Sequence, residues 1–153
     1  MNRIKRIIRA LRGIRSFSNI GEGTFEGGLI SKLSDAAITA RYTLGKFGSD
    51  VDHFALCGAN DLPLGVITDE PAAAEIETNL TLLGSSGDRT LLVVASEAIT
   101  YGQLVYTAAD GKVQNEPAVA GTYYLVGRAL MSASGDGIEF EIEPAFPIGF
   151  VVP

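Results

Sequence analysis

The stretch that decides the fold is "SEAITYGQLVYTAADGKV", residues 96–113, because a near copy precedes it as "SDAAITARYTLGKFGSDV", residues 34–51. An Ala-Ile-Thr triplet stands near the start of both copies, as residues 37–39 and 98–100, and apolar residues recur at similar positions after it. Asp110-Gly111 in the later copy is a pair favoured in tight hairpin turns. Each copy therefore predicts a strand, a turn and a second strand, with no catalytic signature in either.

The likeness continues downstream. "LPLGVI" (62–67) aligns with "YLVGRA" (124–129), which places Gly65 opposite Gly127, and Ile76-Glu77 meets Ile138-Glu139 at the same offset. We interpret residues 34–83 and 96–145 as two diverged copies of one β unit. Neither unit of about 50 residues can easily bury a core alone, since small domains bury too little surface. Two units facing each other can close a small barrel or sandwich.

The chain from residue 34 to 153 is predicted to be a single all-β domain. Short apolar runs are separated by turn signals, as in "LLVVA" (91–95) and "TYYLVGRAL" (122–130). "GIEFEIE" (137–143) alternates, so that Ile138, Phe140 and Ile142 should face inward and the glutamates between and after them outward. We expect a small β-barrel or β-tulip-like sandwich with an amphipathic helical arm at its N-terminus.

Residues 1–20 form a basic N-terminal arm, and residues 21–33 a Gly-rich connector. At 100° per residue the apolar side chains of residues 3–14 occupy an arc of about 120°, with basic side chains opposite. A helix of about 12 residues is marginal alone in water, so it must pack on something. We favour a docking arm that pairs with an acidic partner; a solvated or self-packed helix and a targeting or lipid-binding segment are the alternatives. The candidate partner-binding residues are Arg3, Ile4, Lys5, Arg6, Ile7, Ile8, Arg9, Leu11 and Arg12.

Charge is divided unevenly along the chain. All 18 acidic residues follow position 21, together with six basic ones, so the body carries a net charge of about −12. Nucleic acid is not expected as a partner, because phosphates repel an acidic surface. No apolar run approaches the ~20 residues that a membrane helix needs, and no membrane partner is expected. The single cysteine, Cys57, excludes an internal disulfide.

Residues that could carry chemistry are few. His53, the only histidine, is predicted to lie in a surface turn, and Cys57 in an apolar run is predicted to be a small core residue. "GEGTFEGG" (21–28) lacks the spacing of a nucleotide-binding loop, and "GSSGD" (84–88) is neither a nucleophile elbow nor a P-loop. We predict no catalytic residue, no metal site, no cofactor and no enzymatic activity.

One resemblance extends over residues 34–145. "SEAITYGQLVYTAADGKVQNEPAVAGTYYLVGRALMSASGDGIEFEIEP" (96–144) resembles a phrase of the capsid decoration, or cement, proteins of tailed bacteriophages, and "AAITARYTLGKFG" with "LPLGVITDEPAAAE" and "NLTLLG" is similar to the upstream half of that family. Arg41-Tyr42 departs from it by replacing the Gly-Gln of the second copy. The resemblance implies a trimeric β-tulip protein on the outer capsid surface that binds and stabilises the lattice of the major capsid protein.

Two other functions remain open. One is a carbohydrate- or host-surface-binding module on the virion, for which the candidate aromatic side chains are Tyr101, Tyr106, Tyr123 and Tyr124. The other is an organelle-targeted or membrane-surface protein whose arm contacts lipid.

Overall fold

The computed structural model describes residues 28–84 and 89–153, which form eleven β-strands. The all-β prediction is confirmed, whereas the arm lies outside the described residues. The strands are β1 Leu29–Ser34, β2 Thr43–Phe47, β3 His53–Leu56, β4 Gly65–Ile67, β5 Glu77–Leu82, β6 Leu91–Val94, β7 Leu104–Thr107, β8 Val113–Gln114, β9 Gly121–Ala129, β10 Glu139–Pro144 and β11 Gly149–Val152.

The first five strands close a barrel in the order β1-β3-β2-β4-β5. Its only parallel pair is β1 with β3, where Leu33 lies opposite His53, and the antiparallel pairing of β1 with β5 completes the ring. β1 corrects the predicted connector, whose last five residues, 29–33, are strand. The strand has only six residues and follows two glycines, so the local sequence does not indicate it. It forms because the backbone groups of β3 and β5 need a hydrogen-bonding strand between them.

The second half repeats this arrangement. Its sheet runs β6-β10-β9-β7-β8, and an isolated parallel bridge between Ala95 and Val113 joins its two ends. When β1 is matched with β6, β2 with β7, β3 with β8, β4 with β9 and β5 with β10, every pairing of the first barrel has its counterpart. β11 adds a further antiparallel partner to the first half of β9.

A common apolar core joins the two halves. A smaller cluster lies within the first barrel, around the buried side chains of Phe54 and Leu80. The larger cluster combines four residues of the first half with residues of the second; the four are Leu44, Cys57, Val66 and Leu83. Its members from the second half are Val93, Ala95, Ile99, Val105, Val113, Val126, Ala129, Ala133, Phe140 and Ile142. The halves therefore stabilise each other by burying apolar surface that neither covers alone.

The acidic strand β10 follows the predicted alternation. Phe140 and Ile142 are fully buried, while Glu139 and Glu143 are exposed. Ile138 was expected on the buried side but is 42 % exposed, because it precedes the strand and the alternation does not extend to it.

The hairpin predicted at Asp110-Gly111 connects β7 and β8. Both residues have positive φ, 57° and 68°, as the favoured two-residue hairpin turns require. The Gly111 amide donates to the Cys57 carbonyl at 2.7 Å, and a Cβ at Gly111 would lie 2.9 Å from both the Leu44 carbonyl oxygen and the Thr43 Cβ. The turn of the second copy thus rests directly on β2 of the first.

The two halves differ in how they form matching turns. The amide of Tyr42, which has φ 59°, donates a hydrogen bond to the carbonyl oxygen of Ile67. In the same way the amide of Gly102, which has φ 83°, donates to the carbonyl oxygen of Ala129. Tyr42 therefore takes the structural place of Gly102, and the turn that precedes it is one residue longer in the first half. A non-glycine residue in this conformation costs roughly 1–2 kcal/mol, and Tyr42 offsets it by packing against the larger core.

Candidate interaction surface

The residues predicted to bind a partner lie outside the described part of the chain. They are Arg3, Ile4, Lys5, Arg6, Ile7, Ile8, Arg9, Leu11 and Arg12. Their role stays a prediction from the sequence. The body supplies an apolar groove and a polar cluster of its own.

An apolar groove of about 440 Å³ lies between the first barrel and the chain that follows β10. Three of its aromatic and aliphatic side chains are largely exposed: Phe47 (64 %), Leu62 (56 %) and Phe146 (72 %). Exposed apolar side chains that cluster in this way are typical of surfaces that contact a protein segment, a membrane or a ligand. The lining consists of Phe47, Leu62, Pro63, Leu64, Leu82, Leu83, Gly84, Phe146 and Pro147.

Backbone hydrogen bonds fix the walls of the groove. The Leu64 amide donates to Gly45 at 2.7 Å, and the Leu83 amide donates to Leu64 at 3.1 Å. On the opposite wall the Ala145 amide donates to Val126 at 2.8 Å, which anchors the segment that carries Phe146. The groove is therefore built into the fold and does not depend on side-chain rotamers alone.

Sequence reasoning missed this groove because its walls come from positions about 80 residues apart. The local signal is an apolar residue followed by proline, another apolar residue and glycine, as in "LPLG" (62–65) and "FPIG" (146–149). Proline fixes the backbone and lacks an amide donor, so it commonly precedes a strand and leaves its neighbours at the surface. Nothing in either segment indicates that the two meet.

His53 is not the surface turn residue that the sequence predicted. It opens β3 and its side chain is only 11 % exposed, because Nδ1 contacts Asp50 at 2.6 Å and Nε2 contacts Glu75 at 3.1 Å. The hydrogen bond that His53 makes to Asp50, followed by the one that it makes to Glu75, raises the pKa of His53 above 6.5, and the same bond to Asp50 lowers the pKa of that carboxyl. The imidazole of His53, between the two carboxylates, links the β2–β3 loop to the β4–β5 connection.

Cys57 is buried as predicted, at 1 % exposure. Removal from water raises the pKa of its thiol to about 12. The thiolate is the nucleophilic form of cysteine, so this side chain is chemically inert at neutral pH. Nearby, the Lys46 Nζ lies 2.7 Å from the Asp61 Oδ2, and this hydrogen bond lowers the pKa of Asp61.

Two of the four tyrosines proposed for carbohydrate binding are buried. Tyr106 and Tyr123 are each only 7 % exposed, and Tyr106 packs on Phe150 with ring centroids 5.1 Å apart. Tyr101 is 69 % exposed. A sugar site needs an exposed aromatic face beside polar groups, and burial of two of the four rings removes that feature from them.

Among the described residues, no three His, Cys, Asp or Glu side chains stand close enough together to ligate a metal ion. In the same part of the chain, no helix is long and apolar enough to span a bilayer.

Comparison with known proteins identifies the fold. No protein-family model matches the chain, and neither does any curated protein. The chain is similar to a solved structure described as the N base of head fiber gp8.5 in bacteriophage phi29, with a TM-score of 0.56 and 17 % identity. That similarity covers 77 % of this chain and 93 % of the other. The two proteins therefore share a fold over nearly the whole of the fiber base.

Proposed function

We propose that this protein is a virion structural protein that stands on the outer surface of a bacteriophage capsid and binds the lattice of its major capsid protein. The observation that carries the proposal is the likeness of fold to the base of a phage head fiber, which extends over 93 % of that base. The independent resemblance of residues 34–145 to capsid decoration proteins points to the same location.

The basic arm is the proposed contact with the capsid. The arm has six basic residues and no acidic one, whereas the body carries a net charge of about −12. The arm therefore attracts an acidic surface, and the body repels one. Electrostatic attraction of this kind increases association rates and weakens as salt is added. The capsid surface that receives the arm is therefore acidic.

A homo-trimer suits this role. Three arms on one oligomer raise the effective concentration of each at the capsid, which increases overall affinity without any new type of contact. The resemblance to decoration proteins, which commonly form trimers, supports this oligomeric state.

Co-sedimentation with expanded capsids of the phage that encodes the chain tests the proposal. The full-length protein should pellet with capsids to saturation, and the bound fraction should decrease from 50 to 500 mM salt, since screening weakens exposed charge pairs. Arg6→Glu/Arg9→Glu, which reverses two charges on the arm, should reduce affinity by roughly tenfold or more.

The matched control is Arg89→Glu/Arg128→Glu, which reverses two exposed charges on the body. This variant should bind nearly as well as the wild type. Equal losses in both double variants would show that net charge and not the arm governs binding. A full-length protein that stays in the supernatant at all salt concentrations would remove the capsid role itself.

A further inference from the structure

We infer that the apolar groove of the body is the binding site for the apolar face of the arm from the same chain, so that the basic face of the arm points outward. The inference extends beyond binding to a capsid, because the intramolecular contact exists without one. It rests on the direction in which the chain enters the barrel, on the spacing of the apolar residues of the arm and on the chemistry of the groove.

The chain enters the barrel beside the groove. β1 and β5 are antiparallel, and Leu29 lies opposite Thr81, with Ile30 opposite Leu80. Partner numbers on β5 increase as those on β1 decrease, so the first residue of β1 lies beside the last residues of β5, which lead into Leu83 and Gly84. Those residues follow β5 and form one wall of the groove. The arm is thus tethered next to this surface.

The length of the tether suffices. Thirteen residues separate position 14 from Gly28, and an extended chain spans up to about 45 Å over that number. The helix predicted from the sequence over residues 3–14 would be about 18 Å long. The tether keeps the local concentration of the arm at this groove in the millimolar range, far above that of the same segment on another molecule.

The pattern of the arm fits a groove of this kind. Ile4, Ile7, Ile8 and Leu11 stand at positions i, i+3, i+4 and i+7, which are the anchors by which an amphipathic helix lies in an apolar groove. In the helix that the sequence predicts, Arg6 and Arg9 would lie on the opposite face. Binding through the anchors leaves these guanidinium groups in solvent, where they remain accessible to an acidic partner.

The groove has the matching chemistry. Its lining is made of leucine, phenylalanine, proline and glycine, with no charged side chain among the described residues that form it. A helix with guanidinium groups on all sides would lose hydration there without gaining a partner. An aliphatic stripe gains about 25 cal/mol for each Å² that it removes from water. The face with the isoleucines is therefore the one that binds.

Disulfide trapping in the full-length protein, without capsids, tests the inference. Ile8→Cys/Leu62→Cys places one thiol on the apolar stripe and one on an exposed position of the groove. Cys57 stays in place, because it is buried and its thiol pKa of about 12 keeps it unreactive. Mild oxidation should give an intrachain disulfide between positions 8 and 62, identified by peptide mapping, in protein that remains monomeric on non-reducing gels.

The matched control, Arg9→Cys/Leu62→Cys, moves the arm thiol to the opposite helix face. Its intrachain disulfide should form roughly tenfold more slowly, since the two sulfur atoms must approach to about 2 Å in a restricted geometry. Equal rates in the two variants would overturn the inference. Interchain disulfides alone would also overturn it, because the groove would then receive the arm of a second copy.

A second measurement does not depend on engineered thiols. Trypsin should cleave within residues 3–15 roughly tenfold faster in Leu62→Ser/Phe146→Ser than in the wild type, because proteolysis follows the population of the undocked arm. Val119→Ser, an equally exposed apolar residue outside the groove, should leave the rate unchanged. Identical cleavage rates in all three proteins would contradict the inference while leaving binding to capsids untouched.

Discussion

The amide of Gly111 donates a hydrogen bond of 2.7 Å to the carbonyl oxygen of Cys57, and this bond joins the two halves of the protein. Cys57 follows β3 of the first barrel, and its own amide donates to Leu44 in β2 at 2.9 Å. The hairpin of the second half is thereby held in register with two strands of the first. Since the larger core spans both halves, this contact orients the surfaces that form it.

Replacement of Gly111 by alanine should destabilise the protein by about 2–4 kcal/mol. The positive φ of 68° costs a non-glycine residue roughly 1–2 kcal/mol, and crowding against the Leu44 carbonyl oxygen and the Thr43 Cβ adds a similar amount. Denaturant unfolding measures the change in free energy.

Gly102→Ala is the control, since Gly102 also has positive φ, 83°, but a Cβ there meets no atom within 4 Å. The free energy of unfolding of this variant should decrease by only about 1–2 kcal/mol, from backbone strain alone. If both variants lost the same free energy, the turn at Gly111 would not be packed against the first barrel as described.

The stability of the fold should depend on pH through His53. Its pKa is raised in the folded state, so the stability that it contributes is complete below the unfolded value of 6.5 and is lost as the pH rises through the folded value. The difference in Tm between the wild type and His53→Gln should therefore decrease from pH 6 to pH 8.5. The contribution of Asp50, whose pKa is lowered, disappears only as the pH falls below about 3.8.

Glu75 provides an independent check on the same cluster. It has φ 62°, whereas glycine occupies the matching position 137 in the second half, so Glu75→Gly removes strain together with the contact to His53. Thermal unfolding should show the variant less stable than the wild type at pH 5.5 and equal or more stable at pH 8.5. A stability difference that does not change with pH would mean that His53 is not charged in the folded protein at pH 5.5.

Cys57 should resist modification while the protein is folded. With the thiol pKa at about 12 and 1 % exposure, the reaction with a soluble disulfide reagent at pH 8 should be at least about 100-fold slower than in denaturant. The absorbance of the released thiolate follows the rate. Rapid reaction of the native protein would place Cys57 at the surface and remove it from the core that joins the halves.

Much of this fold could be predicted from the sequence, because alternating apolar residues and turn residues indicate β-strands and hairpins. The offset that aligns Gly65 with Gly127 is also the one that matches β4 with the end of β9 and β5 with β10. Asp110-Gly111 indicated its hairpin directly, since few residue pairs tolerate positive φ twice in succession.

What the sequence did not reveal depends on contacts between distant residues. The sequence did not predict that the His53 side chain is largely buried, because its partners Asp50 and Glu75 meet it only when β3 and the β4–β5 connection come together. The sequence did not predict β1, because residues 29–33 form a strand through their pairing with β3 and β5 and not through a local pattern. The groove unites Leu62 with Phe146 through tertiary structure alone.

Electron cryo-microscopy of expanded capsids incubated with the full-length protein tests the central claim most directly. The reconstruction should show additional density at symmetry-related positions on the outer capsid surface, into which the pair of barrels fits as a rigid body. Capsids that remain bare at saturating concentrations of folded protein, or density confined to the inner surface, would contradict the assignment to the outside of the virion.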